Sequence, residues 1–398
     1  EQVGVELNKY NVTLAYNTDF ATITSSTNFS ETDPLQETDL SAIVGGAFPW
    51  GLVREQKSEF FMQEVRMVST GDSKVDWVIG AFLQDREVVF NQVFHVTQEF
   101  VDARGGSIGG LSNDYMGVDN AFVYGSPVTD NLEESALFAE LGYRLSDTLK
   151  ATVGFRSAEI EIKNKRTAGG SGSAGGFIVP VVFMGADSFT PTPYVAGQYA
   201  PGKVSPSTMK LSLAWEASDE VNWYATASEG FRANDVNRSA FSVGINGQLG
   251  TSSLDPDDPL VIPELSKSDS MWNYEVGMKG QWDTVSVNLA VYQMVWDDIQ
   301  LFAQRVSDSA VFYANAGEAE SEGIELDILG RPNDYFEYGL AVAHQSAEIT
   351  SISAEESAMV GAVVGSPLSS PDLQASGHLQ YTNSVAGGNE MFGRMDFS

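Results

Sequence analysis

Lys210 to Arg232 reads KLSLAWEASDEVNWYATASEGFR. Leu211, Leu213 and Trp215 alternate with Lys210, Ser212, Ala214 and Glu216. After Ala217-Ser218-Asp219-Glu220 the alternation resumes, with Val221, Trp223, Ala225 and Ala227 set against Asn222, Tyr224, Thr226 and Ser228. Successive side chains of a strand point to opposite faces, so each half is a strand with one apolar and one polar face. The polar link is short enough only for an antiparallel hairpin. A soluble sandwich and a membrane barrel both use such hairpins. Strand length, repetition and the order of connections decide between them.

Outward from this hairpin the pattern recurs in both directions. Towards the N-terminus, Glu134–Leu145 pairs with Lys150–Lys165, Phe60–Ser69 with Asp76–Asn91, and Lys9–Tyr16 with Ala21–Ser30. Towards the C-terminus, Met271–Gln281 pairs with Val285–Gln304, and Val311–Leu329 with Phe336–Ile349; Leu373–Thr382 and the closing MFGRMDFS form the last pair. That is about 14 strands, many of ~9 to 16 residues against the ~5 to 6 usual in globular domains. Tight turns such as 146–148 and 282–284 alternate with long polar segments near 31–58, 92–131, 166–206 and 234–268, and a medium one near 350–369. Val306–Ser309 is a short link where the alternation calls for a long one. Long structureless loops count against a compact soluble domain. Outer-membrane barrels instead put short turns at one end and long loops at the other. Trp77, Trp215, Trp223 and Trp282 lie at or near short turns, as an interfacial aromatic girdle requires. Trp272 and Trp296 lie further along their strands, and Trp50 is read as a loop residue.

Composition bounds the function. The 398 residues carry a formal charge of −32 and 42% hydrophobic residues. No run reaches the ~18 apolar residues of a membrane helix. A barrel escapes hydropathy because only every second residue meets lipid. So acidic a chain disfavours nucleic acid as a partner, since phosphates need Lys and Arg, and argues weakly against a strongly anionic ligand unless local arginines compensate. Cysteine is absent, which removes disulfides and thiolate metal sites. Residues 1–398 read as one all-β antiparallel transmembrane barrel domain. The chain opens and stops inside apparent strands, so it is expected to be an internal piece of a longer protein.

Phrases spread along the chain carry a resemblance. They are FFMQEVRMVS at Phe60–Ser69 followed by WVIGAFLQ, SALFAELGYRLSDTLKATVGFR, SPSTMKLSLAWEASDEVNWYATASEGFRAN, SMWNYEVGMKGQW from Ser270, and YANAGEAESEGIELD at Tyr313–Asp327. EGFRAN and NAGEAESEGIELD are the most specific. In their order and spacing the chain resembles the TonB-dependent receptors of the Gram-negative outer membrane. The resemblance implies a barrel of about 22 strands closed by a plug domain. It also implies import of a scarce ligand, such as a ferric siderophore, haem, cobalamin or a glycan, with energy supplied through TonB. The expected partners are TonB, the protein's own plug domain, outer-membrane lipid, lipopolysaccharide and a small-molecule ligand. The plug and the final strands lie outside the pattern this sequence shows. A passive porin-like channel and a soluble β-rich binding protein are the rival readings.

Charges expected on the lumen side are Glu64 and Arg66, Glu140 and Arg144, Glu229 and Arg232, and Glu325 and Asp327. They suit a wall that grips a plug through ion pairs and hydrogen bonds. Ligand contacts are expected from Arg232, Asn234, Asn237 and Arg238 after the EGFRAN phrase. Gln300, Phe302, Gln304 and Arg305 would add to them from a strand tip, and Trp50, Tyr115 and Tyr124 from earlier loops. Aromatic and amide groups suit sugars or aryl groups, and arginines suit carboxylates. His95, His344 and His378 are too scattered for a metal site. Asp255, Asp257 and Asp258 lack the glycine and glutamate of a calcium loop and read as a solvated acidic loop. The tract Ala168–Gly176 lacks the Lys-Ser/Thr ending of a phosphate loop, and no nucleophile elbow occurs. No cofactor, metal or enzymatic activity is expected.

Overall fold

The computed structural model describes residues 2–39, 41, 50–96, 121–125, 128–166, 197–198, 202–241, 244, 246–252, 255–308, 310–368, 370–385 and 387–398. Fourteen strands form its wall: β1 (Gln2–Asn17), β2 (Ala21–Asp39), β3 (Trp50–Ser69), β4 (Val75–Val96), β5 (Val128–Arg144), β6 (Leu149–Arg166), β7 (Ser207–Glu216), β8 (Val221–Arg232), β9 (Asp269–Gln281), β10 (Val285–Asp297), β11 (Glu318–Asn333), β12 (Phe336–Ser351), β13 (Leu373–Val385) and β14 (Asn389–Phe397). Each pairs antiparallel with the next. Short strands at Ala121–Gly125, Gly197–Gln198 and Gly202–Val204 join the same seventeen-stranded sheet. Among the described residues β1 and β14 each have one neighbour. Among the described residues no helix is long and apolar enough to cross a membrane, which leaves crossing by strands open.

The register explains why a period of two suffices to build a two-faced wall. One row of cross-strand partners runs Tyr143, Ala151, Leu213, Ala225, Val276, Val291, Ile324 across β5 to β11. Shifted by one residue, the row on the other face runs Thr152, Ser212, Thr226, Glu275, Tyr292, Gly323, Gln345 across β6 to β12. The apolar side chains stay exposed: Leu211, Leu213, Val276 and Val291 are all about half accessible. A soluble sandwich would cover that face, so the row is built for hydrocarbon. On the polar face, aromatic rings lie over glycines of the adjacent strand. A Cβ at Gly277 would meet the Tyr224 ring at 2.5 Å, and one at Gly323 would meet Tyr292 at 2.6 Å.

Several sequence boundaries shift. Residues 31–39 and 50–58, read as polar loop, are strand. Pro34 sits inside β2, and the β2–β3 ladder skips from Thr32–Ser58 to Leu35–Glu55 beside it, as a residue without an N–H requires. At roughly 3.3 Å per residue, the 22 residues of β4 extend about 70 Å, well beyond the ~30 Å hydrocarbon core, so their outer ends tolerate charge. Trp50 therefore opens β3, and His95 lies in β4.

The second correction concerns Val285–Gln304. Strand β10 ends at Asp297, and Asp298 takes a left-handed φ of 54°. Gln300–Gln304 and Val311–Asn315 then form a separate two-stranded hairpin, and Gly317, with a φ of 50°, returns the chain to the wall. Val306–Asp308 lie at the tip of this hairpin, Ser309 being outside the described residues, so residues 298–317 are a long connection after all. Every short connection now falls at one end of the wall and every long one at the other.

Candidate functional site

The loop end carries a folded cap built from the described residues of 233–268, those of the hairpin at 300–315 and a short helix, α1 (Ala354–Val360). Val236, Ala240, Ile262, Ala303, Phe312 and Ala314 bury themselves against Ala136, Ala158, Ile160 and Ile162, which lie on the polar face of β5 and β6. The cap therefore rests on the upper lumen wall. Met359 and Val360 of α1 pack against it.

Polar side chains knit the cap together. Asn237 donates from Nδ2 to the Tyr313 carbonyl at 2.8 Å and accepts the Tyr313 amide at 2.7 Å. Arg305 donates to the carbonyls of Gly250, Leu260 and Thr251 and pairs with Asp308, with both side chains almost fully buried, at 2% and 3% exposure. Gln300 donates its amide N–H to Asp269 and its Nε2 to the Ala233 carbonyl, while its Oε1 accepts from Ser266. Asn315 bridges Lys267 and the Asp298 carbonyl. Ser239 donates to the Val311 carbonyl. These bonds tie the hairpin to a loop that precedes it by tens of residues.

This assigns the expected ligand residues to different duties. Asn237, Gln300 and Arg305 are buried and committed to the cap, so they are structural and do not present their polar atoms outward. Asn234 is buried on Gly202, and its Oδ1 has no hydrogen-bond partner among the described residues. Arg232 remains half exposed, at 54%. Its guanidinium is aimed by the buried carboxylate of Asp269 and by the Gln300 carbonyl at 3.0 Å. Phe302 is 62% exposed and meets Tyr313 edge-on, ring centroids 5.8 Å apart. Gln304 is exposed at the end of the same strand. Arg232, Phe302 and Gln304 are thus the expected residues that face outward. Tyr313 is the residue the sequence reading missed, and its alternation with Phe312 and Ala314 could have flagged it. Arg238 starts a 3-10 turn, Trp50 opens β3 and Tyr124 lies in the strand 121–125; their side chains, and Tyr115 altogether, fall outside the described residues.

The register sorts the expected lumen charges. Glu64, Arg66, Glu140, Arg144, Glu325 and Asp327 share the polar face. Glu140 bonds Lys210 at 3.0 Å across Gly154, and Arg66 lies 3.4 Å from Glu64. Glu229 is a correction. It is opposite Trp272 and shares the face of Trp223, Ala225 and Ala227, because positions an even number apart on a strand lie on one face. Arg232, three residues on, faces the lumen with Asp269. The acidic loop satisfies itself: Asp255 accepts the Asp257 amide and Asp258 the Leu260 amide, each at 2.9 Å. A hydrogen bond from Ser307, then that from Leu260, holds the Asp258 carboxyl below its ordinary value. Among the described residues no three His, Asp or Glu side chains converge as a metal site would need.

Comparison with known proteins agrees with this architecture. A search of curated protein sequences finds no match. The ferric yersiniabactin uptake receptor FyuA of Yersinia pestis superposes with a TM-score of 0.69 at 15% identity, over 99% of this chain and 49% of its own. The siderophore receptor PiuA of Acinetobacter baumannii gives 0.64 at 13%, over 95% of this chain and 52% of its own. BauA, the ferric preacinetobactin receptor of the same organism, gives 0.61 at 13%, over 99% and 52%. This chain thus spans about half the length of these structures, and at such identities the likeness is one of fold. The family model for the TonB dependent receptor-like β-barrel matches residues 2–397, and the chain belongs to that family.

Proposed function

We propose that this chain is the wall and mouth of an outer-membrane receptor that takes up a scarce nutrient, a ferric siderophore before other ligands, with energy supplied by TonB. The observation that carries the reading is the pairing of a hydrocarbon-facing row with a lumen-facing polar row, topped by a cap that is already folded. The siderophore receptors that share the fold support the choice of ligand class. The outward-facing groups fit it chemically. Arg232, held in place by Asp269, offers a fixed cationic edge to a carboxylate or similar oxyanion. Phe302 and Tyr313 offer rings to an aryl group. Gln304 adds an amide. The lumen charges Glu64, Arg66, Glu140, Arg144, Glu325 and Asp327 would meet the plug, and lipid and lipopolysaccharide would surround the wall.

The test is uptake of labelled ferric chelates by cells bearing the whole receptor, grown under iron starvation. Strong induction by starvation is expected, together with loss of uptake in Arg232→Ala and Phe302→Ala at unchanged surface abundance. Expression indifferent to iron, with no uptake of ferric chelates, would move the ligand class to glycans, cobalamin or another nutrient; induction without ferric-chelate uptake would favour haem.

A further inference from the structure

The two edges of the cap hairpin are treated differently. Tyr313 turns its backbone N–H and C=O away from its partner strand, where Asn237 meets both, at 2.7 and 2.8 Å. Ser239 covers the Val311 carbonyl on the same edge at 2.7 Å. In an antiparallel pair, outward and inward backbone groups alternate along each strand, and residues directly opposite share the direction. Phe302 is directly opposite Tyr313, and Gln300 is opposite Asn315. Gln300 and Phe302 therefore turn their backbone groups to the other edge. There the Gln300 N–H donates to Asp269 at 2.9 Å, and the Gln300 C=O accepts from Arg232 at 3.0 Å. No described residue meets the backbone N–H or C=O of Phe302, and Phe302 is exposed.

A strand edge with a bare N–H and C=O is a template for another chain. The neighbouring cation specifies which chain. Arg232 commits Nε and Nη2 to Asp269 and to the Gln300 carbonyl, which leaves the two N–H groups of Nη1 without a partner among the described residues. Two residues of strand, roughly 7 Å, separate Gln300 from Phe302. A chain laid antiparallel to Gln300–Gln304 runs towards Arg232 and ends there. When one of its residues exchanges both backbone bonds with Phe302, the next lies opposite Leu301 and brings a terminal carboxylate to Nη1. The side chain of the pairing residue then stands beside the Phe302 ring, since directly opposite residues share a face. We propose that this open edge recognises a peptide, which adds as a third strand with its penultimate residue on Phe302 and its C-terminal carboxylate on Arg232. The proposal rests on the receptor reading above. It narrows the ligand to one with a peptide backbone and a free C-terminus, whether the peptide is itself the nutrient or the arm of an iron chelate.

Titration calorimetry on the intact receptor in detergent tests it. The probes are the pentapeptide Ala-Ala-Ser-Ala-Ala and the ferric complex of the same peptide carrying a trihydroxamate chelator at its N-terminus. Replacing the terminal carboxylate by an amide should weaken binding about tenfold or more, as loss of a charged hydrogen bond does. Methylating the backbone nitrogen of the penultimate residue, which donates to Phe302, should weaken it about fivefold. Methylating the nitrogen of the residue before it, which points away, should leave binding unchanged. Arg232→Gln should bind acid and amide alike. Phe302→Pro removes the outward N–H and none of the hairpin's own bonds, so against Phe302→Ala it should lose about fivefold while 311–315 keeps its protection from hydrogen exchange. Binding of both probes would identify the peptide as the nutrient, and binding of the chelate alone would identify it as a chelator's arm; either agrees with the proposal. Equal binding of acid and amide by the unaltered receptor, a loss that ignores which nitrogen is methylated, or no binding of either probe would overturn it. Any of these results with ferric-chelate uptake intact leaves the receptor reading standing. Loss of that uptake with the peptide preferences intact removes the ferric ligand and keeps the peptide.

Discussion

Asn237 and Tyr313 lie 76 residues apart in sequence and exchange two hydrogen bonds, the amide side chain of one closing on the backbone of the other as a strand partner would. The bond pair fixes the height of the hairpin over the loop beneath it. Asn237→Ala should orphan a buried N–H and C=O at a cost of about 1–3 kcal/mol each. Faster hydrogen exchange across 300–315, with the wall strands unaffected, is the expected reading. An unchanged exchange pattern would mean that the hairpin stands without this clamp.

Arg305 supports the other end of the same hairpin. Its side chain is buried with Asp308 and reaches three carbonyls of the preceding loop. Arg305→Met would strand the Asp308 carboxylate in a dry site and should destabilise the cap by about 3–5 kcal/mol. The double variant with Asp308→Leu should recover much of that loss. Protease nicking within 240–315, at unchanged heat-modifiable gel mobility, measures both.

The two faces of the wall predict opposite tolerance at adjacent positions. Leu213→Arg places a charge in the hydrocarbon band and should cost about 2–4 kcal/mol of assembly. Ser212→Arg, one residue away on the lumen face, should be tolerated. Heat-modifiable mobility of the two variants in membranes is the check, and equal behaviour would contradict the assignment of faces.

Helix α1 predicts a pH dependence. Ser353 and Glu356 cap it reciprocally: the Ser353 hydroxyl accepts the Glu356 amide at 3.2 Å, and the Glu356 carboxylate accepts the Ser353 amide at 2.9 Å. The Ser353 backbone, then its side chain, holds the Glu356 carboxyl below its ordinary value of 4.5. A depressed carboxyl adds stability that is fully present above its unfolded pKa and is lost as pH falls through the folded one. Protection of the Ser357 and Gly361 amides, which close the helix turns at 2.9 Å, should therefore drop as the medium is acidified below pH 4.5. Glu356→Gln should flatten that change.

The glycine at 277 predicts a packing effect on the lumen side. A Cβ there would fall 2.5 Å from the Tyr224 ring, whose hydroxyl donates to Glu275. Gly277→Val should push the ring off its seat and weaken the barrel by about 1–3 kcal/mol, as overpacking does elsewhere. Gly393→Ala, where nothing lies within 4 Å, is the matched control.

How far the sequence could be read follows from which signals are periodic. The Lys210–Arg232 hairpin was legible because Trp215 and Trp223 sit on the same parity on either side of a four-residue link, and the structure pairs them. Glu229 was misplaced because it was grouped with Arg232 by charge, whereas parity assigns the two to opposite faces. The break after Asp297 was hidden because the apolar alternation of Val291 and Val295 continues through Leu301 and Ala303. Only the Asp297-Asp298 pair, which suits a left-handed turn, marks the end of the strand. The duties of Asn237, Gln300 and Arg305 depend on contacts with residues tens of positions away, and no local pattern encodes those. Their polarity suggested a surface for a ligand, but burial turned it inward. Outer strand ends such as 31–39 read as loop because charge dominates wherever a strand rises beyond the lipid.

The knitted cap has a thermodynamic consequence for capture. Immobilising a residue costs about 1–2 kcal/mol of conformational entropy, and a loose loop would lose that freedom when a ligand arrives. Here the hairpin that displays Phe302 and Tyr313 has lost its freedom during folding, through Asn237, Arg305 and Asn315. If the proposed function holds, a ligand docking there would meet groups already in place, and more of its contact energy would survive as affinity. On that proposal the same rigidity would narrow the choice of ligand, since a surface that cannot adjust rejects a molecule whose charge and ring are spaced differently from Arg232 and Phe302.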